Sequence, residues 1–129
     1  MKKVREIMTE NVLTIHPGAT LMDAARKMQK AEVGSLPVCE DQHVVGVITE
    51  RDILVRAIGV DVDPEKEIVA NVMSMPVCSV YDDDDVSRAL DCIHANEIRR
   101  VVVLDHGKKL VGIVTEKDIT GAIAPDQVA

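Results

Sequence analysis

The sequence predicts an α/β fold, α+β in its mixture of elements, made of two β-α-β-β-α units packed with pseudo-twofold symmetry. Three observations predict it. A shift of 65 residues lays Val4-Arg5-Glu6-Ile7-Met8-Thr9 on Val69-Ala70-Asn71-Val72-Met73-Ser74, and past one extra residue near Gly107 a shift of 66 lays Thr49-Glu50-Arg51-Asp52 on Thr115-Glu116-Lys117-Asp118. Each half carries one amphipathic helical stripe. Each half then carries two β-rich runs joined by a polar turn. Internal self-similarity of this kind marks repeated supersecondary units. Residues 1–58 are read as the first unit, 59–68 as a linker, 69–124 as the second unit and 125–129 as a frayed tail.

The elements follow in order. Each unit opens with a short turn that carries Met8 or Met73. A short extended segment comes next, residues 12–15 or 77–80. Leu21, Ala24, Ala25 and Met28 in one copy, and Val86, Ala89, Leu90 and Ile93 in the other, fall at i, i+3, i+4, i+7. That spacing puts them on one face of a helix. The runs 36–39 and 44–48, and 101–104 and 110–114, are rich in β-branched residues and read as hairpins. A last helix starts at Thr49 or Thr115. Gly59, Pro64 and the acids around them mark a loop. A unit of about 60 residues is marginal alone. Two units packed together would share a core and form two related clefts, where pockets are favoured.

Composition excludes several functions. The net charge is −7, against the basic face that a nucleic-acid duplex requires. Tyr81 is the one aromatic residue, so no platform exists for stacking single-stranded bases. No apolar run reaches the about 20 residues of a membrane helix. Arg5, Glu6 and Glu10 interrupt any signal-like start. Cys39, Cys78 and Cys92 are odd in number and widely spaced, and are read as free thiols rather than a disulfide framework. These features lead us to expect a cytoplasmic protein.

Several residues could carry chemistry. Thr49-x-x-Asp52 and Thr115-x-x-Asp118 fit helix-capping boxes, and each carboxylate could also accept bonds from a ribose diol. Arg99 and Arg100 stand where the first copy has Gly34 and Ser35. Two adjacent guanidinium groups suit a phosphate, and also suit salt bridges to an acidic surface. Arg51 and Lys117 would add charge to a phosphate, or simply face solvent. Asp82 to Asp85 read as the charged start of a helix and its N-cap. Cys39 and His43 lack a second pair for zinc, and no metal is expected. The four histidines are expected to face solvent. No Walker loop, nucleophile elbow or acid–base pair emerges, so the chain is not expected to be an enzyme.

With those residues in hand, the sequence resembles the CBS domain, named for cystathionine β-synthase. Both copies carry the pattern Met-Thr/Ser, Val-x-Thr/Ser, hairpin, then Val-Gly-Ile/Val-x-Thr-x-x-Asp-Ile. The resemblance covers nearly the whole chain and implies a stand-alone tandem pair, or Bateman module, that forms a disc-like homodimer. It implies regulation through an adenine nucleotide (AMP first, then ADP, ATP or NAD) bound between the repeats. Carried over by position, one cleft would use Thr49 and Asp52 with Cys78, Ser79, Arg99 and Arg100. The other would use Thr115 and Asp118 with Leu13, Thr14, Gly34 and Ser35. The Asp would hold ribose hydroxyls, the early-segment backbone the adenine, and the arginines phosphate. Their presence in one copy only predicts an asymmetric module. The alternative is a ligand-independent scaffold or stress protein that works through an unidentified protein partner.

Overall fold

A computed structural model describes residues 2–76 and 78–122 of the chain. The expected tail and Val77, the first residue of the second extended segment, lie outside the described residues. The first half holds α1 (Leu21–Ala31), β1 (Ser35–Glu40), β2 (His43–Thr49) and α2 (Glu50–Arg56). The second half holds β3 (Ser79–Tyr81), α3 (Val86–Asn96), β4 (Arg100–Leu104), β5 (Leu110–Thr115) and α4 (Glu116–Ala122). The mixture of helices and strands is the one expected from the repeat.

The chain divides into two compact units, each with its own core. The inner unit is Leu13–Pro76; the outer unit joins Met1–Val12 to the chain from Val77 onward. The repeats therefore exchange their leading segments. In the outer unit Thr9 and Ile113 trade backbone hydrogen bonds of 2.8 and 3.0 Å. In the inner unit Ser74 and Val47, the equivalent pair, do the same at 2.9 and 2.7 Å. A repeat is thus a unit of sequence, and the compact body is assembled from parts of two.

In the inner unit β1 and β2 form an antiparallel pair, with the register shifting between Val38 and Cys39. Residues 12–15 do not form a named strand; Ile15 makes a single parallel bridge to Val38. The buried face of α1 is Leu21, Ala24 and Met28, with Ala25 at its margin. These residues pack with Ile15, Leu36, Val38, Ile48 and Val69.

The outer unit repeats the plan. β3 lies parallel to β4, and β4 antiparallel to β5, in the order β3-β4-β5. Its hairpin register shifts at the equivalent place, between Val103 and Leu104. Val86, Ala89, Cys92 and Ile93 of α3 are buried, and Leu90 lies at the edge. Both long helices end in a left-handed glutamate, Glu32 with φ 56° and Glu97 with φ 53°. A left-handed residue closes the last helical turn so that the chain can reverse into a strand.

The two leading methionines are packing residues. A Cβ placed on Gly112 would meet Met8 Sδ at 2.6 Å and Thr9 O at 3.0 Å. One placed on Gly46 would meet Met73 Sδ at 2.5 Å and Ser74 O at 3.1 Å. Each hairpin carries a glycine because the leading segment crosses directly above it, as close backbone approach requires.

Two sequence readings need correction. Cys78 and Cys92 are not free thiols but are joined as a disulfide, with Cα atoms 5.9 Å apart. Their sequence separation of 14 misled, because β3 runs out and α3 runs back beside it. The acidic run also does not cap α3 with a side chain. Asp85 stands at the N-cap but makes no side-chain cap bond; it pairs with Lys3 Nζ at 3.0 Å. Asp84 accepts from the Tyr81 amide at 2.8 Å, and Asp83 meets His106.

Candidate functional site

The outer unit gathers basic charge around the start of α4. Arg100 sits across the β4–β5 ladder from Thr115. The Glu116 amide donates to the Arg99 carbonyl at 2.8 Å, holding Arg99 beside the same turn. A cavity of about 500 Å³ results, lined by Arg99, Arg100, Thr115, Glu116, Lys117 and Thr120. Three cationic side chains face one carboxylate there, and all four are exposed. The expectation from position joined Arg99 and Arg100 to Thr49 and Asp52; this cavity joins them to Thr115 and Lys117 of their own repeat.

Thr115 and Asp118 form a capping box. The Asp118 amide donates to Thr115 Oγ1 at 3.1 Å, and the Thr115 amide donates to Asp118 Oδ2 at 2.9 Å. This satisfies amides at the helix start that have no intrahelical partner. Asp118 Oδ1 accepts no hydrogen bond from the described residues. Capping therefore consumes one carboxylate oxygen and leaves the other for a further donor.

The equivalent group in the inner unit is more fully engaged. Thr49 and Asp52 make the same box, at 2.9 and 3.0 Å. Asp52 Oδ1, however, accepts from Ser74 Oγ at 3.2 Å, and the Arg56 guanidinium stands 3.9 Å away. Arg56 also donates to the carbonyls of Val72 and Met73 at 2.9 and 3.3 Å. Ala122 occupies the matching place in the second repeat, so this network has no counterpart there. Arg51 is exposed. Gly34 and Ser35 lie beside the start of α2, where the Glu50 amide donates to the Gly34 carbonyl at 2.9 Å. The inner unit's cavity, about 620 Å³, is lined mainly by apolar groups from α1 and α2, with Glu32 and Glu50 its only charged lining. It is not built for an anion.

The early segments are held by their own helices. Lys27 of α1 donates from Nζ to the Thr14 carbonyl at 2.8 Å, and Leu13 is largely exposed beside it. Cys78 is half-buried and bonded to Cys92, and Ser79 is exposed at the start of β3.

All four histidines are exposed, as expected, but one is not idle. His106 Nε2 lies 2.9 Å from the Asp83 carboxylate, and its ring stacks on Tyr81 with centroids 4.5 Å apart. The hydrogen bond to Asp83 raises the His106 pKa and lowers that of Asp83. Nothing in the sequence spacing signals this pair, because the β4–β5 turn brings it together. Among the described residues, no three His, Cys, Asp or Glu side chains converge as a metal site.

The CBS domain pattern matches residues 4–59 and 69–125. The chain belongs to the CBS-domain family. This CBS pair is 37% identical over 122 residues to an uncharacterized 17.7 kDa protein of Acidianus ambivalens, covering 94% of this chain and 73% of that one. It is 34% identical to an uncharacterized Methanopyrus kandleri protein, covering 90% of this chain but only 60% of that one. It is 32% identical to 23% of the inosine-5'-monophosphate dehydrogenase of Methanocaldococcus jannaschii, so the same module also occurs inside an enzyme.

Among solved structures, hypoxic response protein I with two coordinated zinc ions superposes with TM-score 0.86 and 30% identity, covering 95% of this chain and 100% of that one. A Pyrobaculum aerophilum CBS domain protein complexed with AMP gives TM-score 0.81 and 27% identity, covering 91% and 89%. A CBS pair complexed with 5'-methylthioadenosine and S-adenosyl-L-methionine gives 0.80 and 27%, covering 95% of each chain. Adenine on a ribose ring is the portion that these three ligands share. No helix among the described residues is long and apolar enough to cross a membrane.

Proposed function

We propose that this CBS pair is a regulatory module that senses an adenosine-containing ligand and is not itself an enzyme. The observation that carries the reading is the cavity at the start of α4. Arg99, Arg100 and Lys117 line it, and the adjacent Asp118 keeps one carboxylate oxygen for a donor. Guanidinium groups recognise phosphate in bidentate fashion, and a carboxylate accepts from sugar hydroxyls. The two chemistries together suit a nucleotide, with AMP foremost and ADP, ATP or NAD as extensions of it. The relatives that hold AMP and S-adenosylmethionine support this ligand class.

Binding regulates only if the ligand prefers one conformation of the module or of its assembly. The surface that favours assembly is apolar. Leu54, Val55, Ile58 and Val60, on α2 and the turn after it, are between 52% and 63% exposed. Exposed apolar side chains gathered on one short stretch of chain suit a protein contact. A second copy of the chain is the partner proposed for it.

Isothermal titration of the purified protein with AMP, ATP and NAD tests the ligand reading. Saturable heat with at least one is the expected result. Heat with none would overturn it in favour of a ligand-independent scaffold acting through the apolar surface.

A further inference from the structure

Both repeats tie the same stretch of backbone to the same helical position, and they use different chemistry. In the inner unit Lys27 on α1 reaches the Thr14 carbonyl at 2.8 Å. A shift of 65 carries Lys27 to Cys92 on α3, and carries Leu13, the neighbour of Thr14, to Cys78. Those two cysteines are the ones joined as a disulfide. A cationic strut in one half thus stands where a covalent bond stands in the other, and only the second responds to the redox poise of its surroundings.

We propose that Cys78–Cys92 is a reversible redox latch that orders residues 78–81 at the start of β3 and thereby sets the affinity of the module for its adenosine ligand. The second clause rests on the nucleotide reading above, because β3 pairs with β4, Ser79 opposite Val102, and β4 carries Arg100 of the cavity. Disulfides in reducing compartments serve mainly as transient or sensing bonds.

The two sulfurs are unequal in a way that suits exchange. Cys92 is 4% exposed within the outer core, whereas Cys78 is half-buried at its edge. Cys78 is therefore the sulfur that a small thiol or disulfide can reach. For closure, the Cys78 thiolate attacks one sulfur of a low-molecular-weight disulfide such as glutathione disulfide. The glutathione S–S bond breaks and one glutathione thiolate leaves. Cys92, having given its proton to solvent, then attacks the Cys78 sulfur and displaces the second glutathione. The protein pair loses two protons and two electrons, and one small disulfide becomes two thiols. Opening is the reverse with reduced glutathione. The third cysteine, Cys39, sits on β1 in the inner unit and stays outside the exchange.

The full chain is equilibrated in glutathione buffers of opposite poise and read in three ways. Alkylation after denaturation should count one thiol in the oxidised state and three in the reduced state. Amide exchange of residues 78–81 should be at least about fivefold faster after reduction, with β4 and β5 still protected, as local opening requires. AMP should bind about fivefold more tightly to the oxidised state, at the lower end of typical coupling between sites. Cys78→Ser/Cys92→Ser should exchange at the reduced rate and bind AMP with no dependence on the buffer. Three thiols persisting in the oxidising buffer, or equal exchange in both states, would overturn the latch. Loss of protection throughout β4 and β5 on reduction would overturn it as a local device. Equal AMP affinity in both states would overturn the coupling to ligand. AMP binding in neither state would count against the nucleotide reading instead, and the exchange measurement, which needs no ligand, would still decide the latch.

Discussion

At the residue scale, the two Thr-x-x-Asp boxes are alike in sequence and unlike in availability. Asp52 has both carboxylate oxygens engaged, one by capping and one by Ser74 with Arg56 nearby. Among the described residues, Asp118 has one engaged. Arg100→Ala should weaken AMP binding about tenfold or more, since a charge-assisted contact contributes about 1.5–3 kcal/mol. Asp118→Ala should weaken it to a similar degree in the same titration. Unchanged affinity in both variants would remove the cavity at α4 from the site. Asp52→Ala should lower stability by about 1 kcal/mol through the lost cap and the broken Ser74 bond, read as a shifted denaturant midpoint.

His106 carries a pH dependence of known sign. Its pKa is raised by the hydrogen bond and charge of Asp83, with Asp82 and Asp84 adding to the effect. A histidine raised in the folded state stabilises below its ordinary pKa, and that contribution disappears as pH rises through the folded value. Asp83 is lowered, so its part persists down to its depressed pKa and is lost below it. The ion pair therefore stands between those two limits. A proton NMR titration should place the His106 midpoint above the ordinary histidine value. Asp83→Asn should lower that midpoint; no movement would show that the pair does not hold in solution.

At the scale of elements, the hairpins and the leading segments are fitted by a glycine and a methionine each. Gly46→Ala should destabilise by about 1–3 kcal/mol, because its new Cβ would lie 2.5 Å from Met73 Sδ and 3.1 Å from a backbone oxygen. Met73→Ala in the same chain should recover part of that loss, leaving a measurable coupling in a double-mutant cycle. Simple additivity would mean that the segment does not cross the hairpin there. The equivalent pair, Gly112 and Met8, should behave alike.

At the scale of the whole molecule, the apolar surface of α2 is one-sided. Leu54 and Val55 are exposed, whereas the second repeat has Thr120 and Gly121 at the matching places. A patch with no match among the described residues of the second repeat favours a twofold contact between identical surfaces. Light scattering should report a dimer, and Leu54→Ser with Ile58→Ser should shift it to monomer without lowering the melting temperature of the dilute protein. A wild-type monomer at high concentration would refute this assembly.

Much of this architecture was legible in the chain. The shift of 65 residues exposed the repeat, and the apolar spacing placed α1 and α3 on the correct faces. Both properties are local or periodic, and local sterics and burial write them into the order of residues. The capping boxes were legible for the same reason, since a Thr and an Asp three apart meet within one helical turn. Only the tertiary structure decided that the repeats exchange their leading segments, that Cys78 meets Cys92, that Asp83 meets His106, and that Arg56 with Ser74 engages Asp52. Each of these joins residues through a chain reversal whose geometry depends on packing. Residue order states which groups are available, and the folded core states which of them are neighbours.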